Sequence, residues 1–425
     1  MLTPTTPIAR PVGDGLTLRS VADEADVERL AVFNALIHGP SVEGMTRNLI
    51  LHHPHTRPEH WLFIDDEAGR VVSSLCLIPW TWRYGSVTLR AGEMGIVGTL
   101  PDYRHGRRSL VAVLVERFNE LLEEGEFDLT HIQGIPYYYR RYGYDYALPL
   151  EPHLNLELRT IPAAQGDETQ QFTIRPAQEA DVPALARLYD DAARVLDLSA
   201  ERDESMWRYL LAHTAGTAME ADTWVIAGPG GEVIGYWRVP SEGFGDGLIV
   251  SEASQLPYQA AQAALRHLKS LAQTRGKPYI RLATSAESSL WRTAQAWGAQ
   301  DNGHYEWQIR IVDVPRLLRH LAPVLEQRLA DSPFAGLTEN VLLNLYREAY
   351  ELRFSNGVLR EVECVGFCEE GAIKLPPNVL PKLIFGWRDR HTLRAAYPDV
   401  GIWDQAGYLV DVLFPPMRSF LYTAY

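Results

Sequence analysis

One segment near the start of the chain returns near its middle. LTLRSVADEADVERLAVFNAL, beginning at Leu16, is echoed by FTIRPAQEADVPALARLYDDA, beginning at Phe172. Each reads as a short strand, an acidic helix cap and an amphipathic helix. The echo opens two blocks of similar size, so the spacing predicts an internal duplication. At 425 residues there is room for two to three domains of about 100–200 residues each.

In the first block, Asp23 caps a helix predicted from about Glu24 to Leu36. WLFID (61–65) and VVSSLCLIPWTW (71–82) read as strands across a DEAGR turn. VTLRAGEMGIVGTL (87–100) is a third strand, and residues 107–122 repeat apolar positions at helical spacing. LTHIQGI continues as a strand, a short Tyr-rich helix follows, and Tyr144 to Leu158 is extended. RTIPAAQGDETQ (159–170) has little to bury and reads as a linker. The second block repeats the strand and helix order. A third begins with VPRLLRHLAPVLEQRL, an amphipathic helix, and continues with strands over 341–366. It closes on the apolar tail YLVDVLFPPMRSFLYTAY, which should be packed rather than left in water.

Acidic residues outnumber basic ones, 54 Asp+Glu against 40 Lys+Arg, for a formal charge of -14. This disfavours a polyanionic partner, so nucleic acid is not expected. Three cysteines cannot make a disulfide framework, and a reduced chain is the simpler reading. The opening MLTPTTPIARPVGDG has no signal-peptide shape, and no stretch has the roughly 20 apolar residues of a membrane span. The expectation is a soluble cytoplasmic protein with no membrane partner.

Two stretches carry chemistry. GEMGIVGTLPDYRHGRRSL (92–110) is a Gly-rich strand running through a Pro into an Arg/Gly turn at a helix start. Free N–H groups at such a start can hold an anion, with Arg104, Arg107 and Arg108 adding charge; the alternative is a solvated basic turn. IQGIPYYYRRYGYDYAL (132–148) places five tyrosines within residues 137–144. A Tyr hydroxyl can protonate a leaving thiolate, or the cluster can be an aromatic core with wet edges.

Together these stretches resemble the GNAT N-acetyltransferases, and the whole chain resembles the Eis-type (enhanced intracellular survival) family. VGTLPDYR, GIPYYYRRYGY and the three-block order carry the resemblance. It implies a mixed α/β (α+β) fold: two tandem GNAT-like acyltransferase domains, then an α+β domain like sterol carrier protein 2 (SCP2-like). The corresponding segments are 1–158 (catalytic), 159–310 (second GNAT-like, with a degenerate coenzyme site) and 311–425. It implies acetyl-CoA as cosubstrate. Val97, Gly98 and Thr99 would hold the acetyl carbonyl and pantetheine arm, and Arg104, His105, Gly106, Arg107 and Arg108 the pyrophosphate. Tyr139 matches the general acid, and the terminal carboxylate of Tyr425 the group that deprotonates the amine. Glu93, on the same strand, is a competing base or substrate anchor, or else a solvated or salt-bridged strand charge.

The family turn reads Arg-x-x-Gly, whereas here the glycine, Gly106, stands one place early. The second block, LIVSEASQLPYQAAQAAL, has no such turn, so a second coenzyme site is not expected there. The leading function is acetyl transfer to a primary amine of a small polyamine, an aminoglycoside-like molecule or lysine. The alternative is a GNAT-fold binding or scaffolding protein without catalysis; lipid carriage rests on fold analogy alone. The resemblance also implies a homo-oligomer, commonly a hexamer. HHPHTRPEH (52–60) looks like a metal tract, but its prolines make it a loop; no metal is expected, and the resemblance implies a place near the substrate opening, where lining a pocket is the better role. Cys76 reads as core, and Cys364 and Cys368 as strand or core packing.

Overall fold

A computed structural model of the chain describes residues 7–104, 109–164 and 171–423, with the backbone alone at Asp404. The first part runs β1 (Ala9–Gly13), β2 (Leu16–Ser20), α1 (Glu24–His38), α2 (Ser41–Leu51), β3 (Trp61–Asp65), β4 (Val71–Tyr84), β5 (Val87–Thr99), α3 (Leu110–Glu124), β6 (Leu129–Ile132), β7 (Asp145–Leu150) and β8 (Leu154–Glu157). The second runs β9 (Thr173–Pro176), α4 (Val182–Ala193), β10 (Leu198–Ala200), α5 (Glu204–Ala212), β11 (Ala221–Ala227), β12 (Val233–Pro240), β13 (Leu248–Val250), β14 (Glu252–Ala253), α6 (Tyr258–Thr274), β15 (Tyr279–Leu282), α7 (Ser289–Ala296), β16 (Gln300–Asp301) and β17 (Tyr305–Ile311). The third holds α8 (Val314–Ala330), β18 (Asn340–Asn344), β19 (Ala349–Ser355), β20 (Val358–Gly366), β21 (Ile373–Lys374), α9 (Leu380–Ile384), α10 (Arg390–Ala396), β22 (Gly401–Ile402), α11 (Asp404–Leu413) and β23 (Ser419–Phe420).

Local chemistry explains the helix starts. Asp23 accepts from the Asp26 N–H at the head of α1, and Ser109 from the Ala112 N–H at the head of α3. The cap at Ser109 starts α3 three residues later than the apolar spacing predicts. Leu114, Phe118 and Leu122 of α3 are fully buried, a burial that contributes about 2 kcal/mol per side chain. The helix α2 was not expected. Its Val42, Met45, Leu49 and Ile50 are buried at helical spacing, but it starts after Pro40 without a side-chain cap.

The first sheet has the order β1-β2-β3-β4-β5-β6-β17-β7. Its one parallel pair along this path is β5 with β6. The second unit is split between β14-β12-β11-β9 and β13-β15-β8-β16, and the third sheet is β20-β19-β18-β21-β22. Two strands have changed places. The strand just before residue 158, β8, pairs with β15 and β16, while β17, just before 311, pairs with β6 and β7. Periodicity reports which face of a strand is apolar, not which sheet receives it.

The tail is packed, as its composition predicts. β23 lies parallel to β10, and β10 extends the far end of β4 at Trp82–Tyr84. Phe420, Leu421 and Tyr422 are buried, and the Tyr422 hydroxyl donates to the Ala253 carbonyl, 3.2 Å away.

Candidate active site

The site is built around a strand that leaves its neighbour. β5 stays paired with β4 as far as Thr99, but its parallel pairing with β6 covers only Ala91, Gly92 and Glu93. Beyond Glu93 the edge of β5 faces no strand among the described residues. A bulge lies in the unpaired stretch: Ser74 opposes Gly98 and Cys76 opposes Gly95, so β5 carries one extra residue, and Ile96 has φ 48°. Bulges bend a strand and sharpen its twist, which turns the end of β5 away from β6. Val97, Gly98 and Thr99 lie on this diverging end, and the Arg104 Nε–H donates to the Thr99 carbonyl at 3.1 Å. His105, Gly106, Arg107 and Arg108 lie outside the described residues, as does Tyr425.

Across the opening, Tyr137 (φ 68°) and Gly143 (φ 85°) bracket a single 3-10 turn over Tyr138–Tyr142. Tyr139 is buried to 6% exposure and belongs to the core against which Ile96 and Val97 pack. Its ring lies on Gly134 so closely that a Cβ there would sit 2.4 Å from it, so only glycine fits. Gly134 is held by the exchanged strand, since its carbonyl accepts from Gln308 Nε2 (2.8 Å) and the Tyr305 hydroxyl (3.1 Å). Burial, reinforced by Tyr138, Tyr144 and Tyr142, pushes the Tyr139 hydroxyl well above the usual phenol range. It is therefore a proton donor at neutral pH.

Glu93 is neither solvated nor paired with a cation. It is 2% exposed and faces His131 in register, with Oε2 and Nε2 3.7 Å apart. The Trp80 indole N–H donates to Glu93 Oε2 at 3.1 Å. Burial raises this carboxyl to about 8, opposed by bonds from Trp80 and Gln133. His131 is fully buried between Trp80, Trp82 and Trp307, with no hydrogen bond to either ring nitrogen among the described residues, and burial lowers it to about 3. His131 and Trp80 escaped the sequence reading. The available signal was a histidine at an inward position of an otherwise apolar strand.

Residues 49–147 match the family model described as "Acetyltransferase (GNAT) domain". This segment is a GNAT acetyltransferase domain. No functionally curated protein matches the sequence. Among solved structures, the chain is similar to a GCN5-related N-acetyltransferase from Anabaena variabilis, at 17% identity and TM-score 0.69, covering 96% of this chain and 99% of that one. The corresponding protein of Kribbella flavida matches at 15% identity and TM-score 0.66, covering 96% and 98%. Eis1 of Mycobacterium abscessus matches at 18% identity and TM-score 0.63, covering 96% and 100%. The fold is thus the mixed α/β fold of GNAT N-acetyltransferases along nearly the whole chain.

In the second GNAT-like unit the corresponding opening is closed. β13 and β15 pair in parallel over Leu248–Val250, but α6 begins at Tyr258, directly after Pro257. Leu256 N–H donates to Ser289 Oγ (2.7 Å), and the Gln255 side chain bridges the Glu287 carbonyl and the Ser289 N–H, each at 3.1 Å. No turn separates Pro257 from the helix there, and the carbonyl of Ala253 on the edge strand β14 is taken by the Tyr422 hydroxyl.

A cleft of about 540 Å³ lies between the two units, at the C-terminal end of α3, the opposite end from Ser109. It is therefore not the seat of a coenzyme bound at the head of α3. The 52–60 loop does line it, through His53, Arg57 and His60 among others, and Trp80 connects it to Glu93. No three His, Cys, Asp or Glu groups that could hold a metal ion come together among the described residues. Among the described residues, no helix is long and apolar enough to cross a membrane.

Proposed function

We propose that this protein transfers an acetyl group from acetyl-CoA to a primary amine of a small polyamine, an aminoglycoside-like molecule or lysine. The observation that carries the reading is the free edge of β5 beyond Glu93, bulged at Ile96 and facing the Tyr139 turn. Main-chain N–H groups at Val97–Thr99 suit a thioester carbonyl, and the head of α3 with Arg104 suits a pyrophosphate, to which the basic sequence 105–108 would add charge. The bound thioester supplies an activated acyl group. Tyr139, held protonated by its burial, donates its hydroxyl proton to the departing thiolate sulfur. The amine reaches the carbonyl carbon in its neutral form, and its proton passes to the terminal carboxylate of Tyr425 or, above about pH 8 where Glu93 is ionised, to Glu93 through water.

The same reading places the chain beside the Eis-type family, as three units at 1–158, 159–310 and 311–425 with one strand exchanged between the first two. The third unit would be SCP2-like, and the protein a cytoplasmic homo-oligomer, open to test by light scattering. Calorimetric titration with acetyl-CoA tests the core of the proposal. Saturation near one coenzyme per chain is expected, together with turnover on a diamine. A folded protein that binds no acetyl-CoA would overturn it. One that binds acetyl-CoA yet acetylates no amine would instead be the scaffolding alternative.

A further inference from the structure

The cleft between the two GNAT-like units has walls of opposite character. On the first-unit wall, His60 is 5% exposed and its Nδ1 accepts the Arg57 N–H at 3.2 Å. The proton of a neutral ring must then sit on Nε2, whose N–H bonds to no described residue. The ring is neutral: burial, helped by Arg57 and Arg90, lowers it to about 3. Beside it, the Arg90 guanidinium lies over the Phe127 ring at 5.0 Å and has no ion pair among the described residues. Of the acidic groups on this side, Glu124 pairs with Arg117 at 2.6 Å and Glu59 Oε1 lies 3.5 Å from Arg57, while Glu59 Oε2 is buried without a hydrogen-bond partner among the described residues. The second-unit wall supplies Glu201, without an ion pair among the described residues, and Asp203, whose Oδ1 caps α5 and whose Oδ2 lies 3.7 Å from His55.

We infer that this cleft binds a small amino-carboxylate, its carboxylate on the His60 Nε2–H and Arg90 and its ammonium toward Glu201 and Asp203. A nearly buried N–H without an acceptor and an unpaired guanidinium on one wall select an anionic oxygen. The carboxylates opposite select a cation. The volume is within the usual 300–1,000 Å³ of small-molecule sites. Trp80 forms part of the lining and is bonded to Glu93 on the reacting strand, so the ligand is assigned as the acceptor. That assignment alone rests on the acetyltransferase reading.

The test is calorimetry on the full chain without acetyl-CoA, using L-lysine, cadaverine (the same diamine without the carboxylate) and O-phosphoethanolamine. Lysine should bind about tenfold more tightly than cadaverine. Arg90→Gln should remove that advantage and leave cadaverine unchanged, with an unaltered thermal melt as the control for folding. Equal binding of lysine and cadaverine, no binding of either, or an equal loss of both in Arg90→Gln would overturn the inference. Binding of phosphoethanolamine alone would overturn the carboxylate assignment. Lysine binding without acetyl transfer would keep the site and sink the catalytic reading. Acetylation of cadaverine with no preference for lysine would do the reverse.

Discussion

The two GNAT-like units share a frame and differ at its centre. Each has a strand followed by Leu-Pro: Leu100–Pro101 directly after β5, and Leu256–Pro257 after β14 and two further residues. After the first, the helix waits until Leu110; after the second it begins at once, at Tyr258. Ile96, four residues before Leu100, forms the bulge that opens the first unit. The matching position before Leu256 is Glu252, which is buried, pairs with Arg202 at 2.8 and 2.9 Å and accepts from the Tyr236 hydroxyl at 2.6 Å. One topology can therefore leave a strand edge free for a ligand or tie it into the protein, and a few residues around Leu-Pro decide which.

If catalysis belongs to the open unit alone, Tyr139→Phe should lower kcat about 10²- to 10⁴-fold with acetyl-CoA affinity unchanged, as general-acid loss does. Turnover near the parent value would break the contrast. The closed unit should instead answer in stability. Glu252→Leu removes the buried carboxylate that pairs with Arg202 and lies beside buried Arg238, at about 3–5 kcal/mol in urea unfolding. In the open unit, Ile96→Val should cost less than about 1.5 kcal/mol.

The open unit should also dominate the pH dependence. His53, His60 and His131 are each held near 3 by burial, while the unfolded chain takes up their protons near 6.5. Stability is thus lost as pH falls from about 6.5 toward 3, at up to about 1.4 kcal/mol per pH unit per histidine. Glu93 acts in the opposite direction. The folded protein keeps its proton up to about 8, whereas the unfolded chain releases it near 4.5, so stability is lost as pH rises between these values. Glu93→Gln should flatten that alkaline limb in denaturant titrations at pH 5, 6.5 and 8; an unchanged slope would assign it to other groups. A purely structural effect is expected for Ser289→Ala. It removes the acceptor of the Leu256 N–H and should lower stability by about 1–3 kcal/mol while coenzyme stoichiometry stays at one per chain.

Much of this contrast could be read from residues. The duplicated opening, the Asp23 cap, the long strands β4 and β5 and the missing turn in the second block all leave local marks. The bulge at Ile96 does not, because it exists only relative to the register of β4. Trp80, Glu93 and His131 are distant in sequence, and pairing of β4, β5 and β6 brings them together. Glu201 and Arg202 lie just after β10, three residues long and too short to show a period. The prolines mark 52–60 as a loop and the family resemblance implies that it lines a pocket, but neither says that two of its histidines would be buried neutral.

The strand exchange bears on how the chain can be made. Domains usually fold one after another as a ribosome releases them. Here the first sheet lacks β17 until Ile311 has emerged, and Gly134, under Tyr139, lacks the Gln308 and Tyr305 bonds until then. A nascent chain therefore holds the turn of the candidate site unfinished through the synthesis of the entire second unit. A gene fragment ending at residue 158 would encode the proposed acid without the strand that secures it.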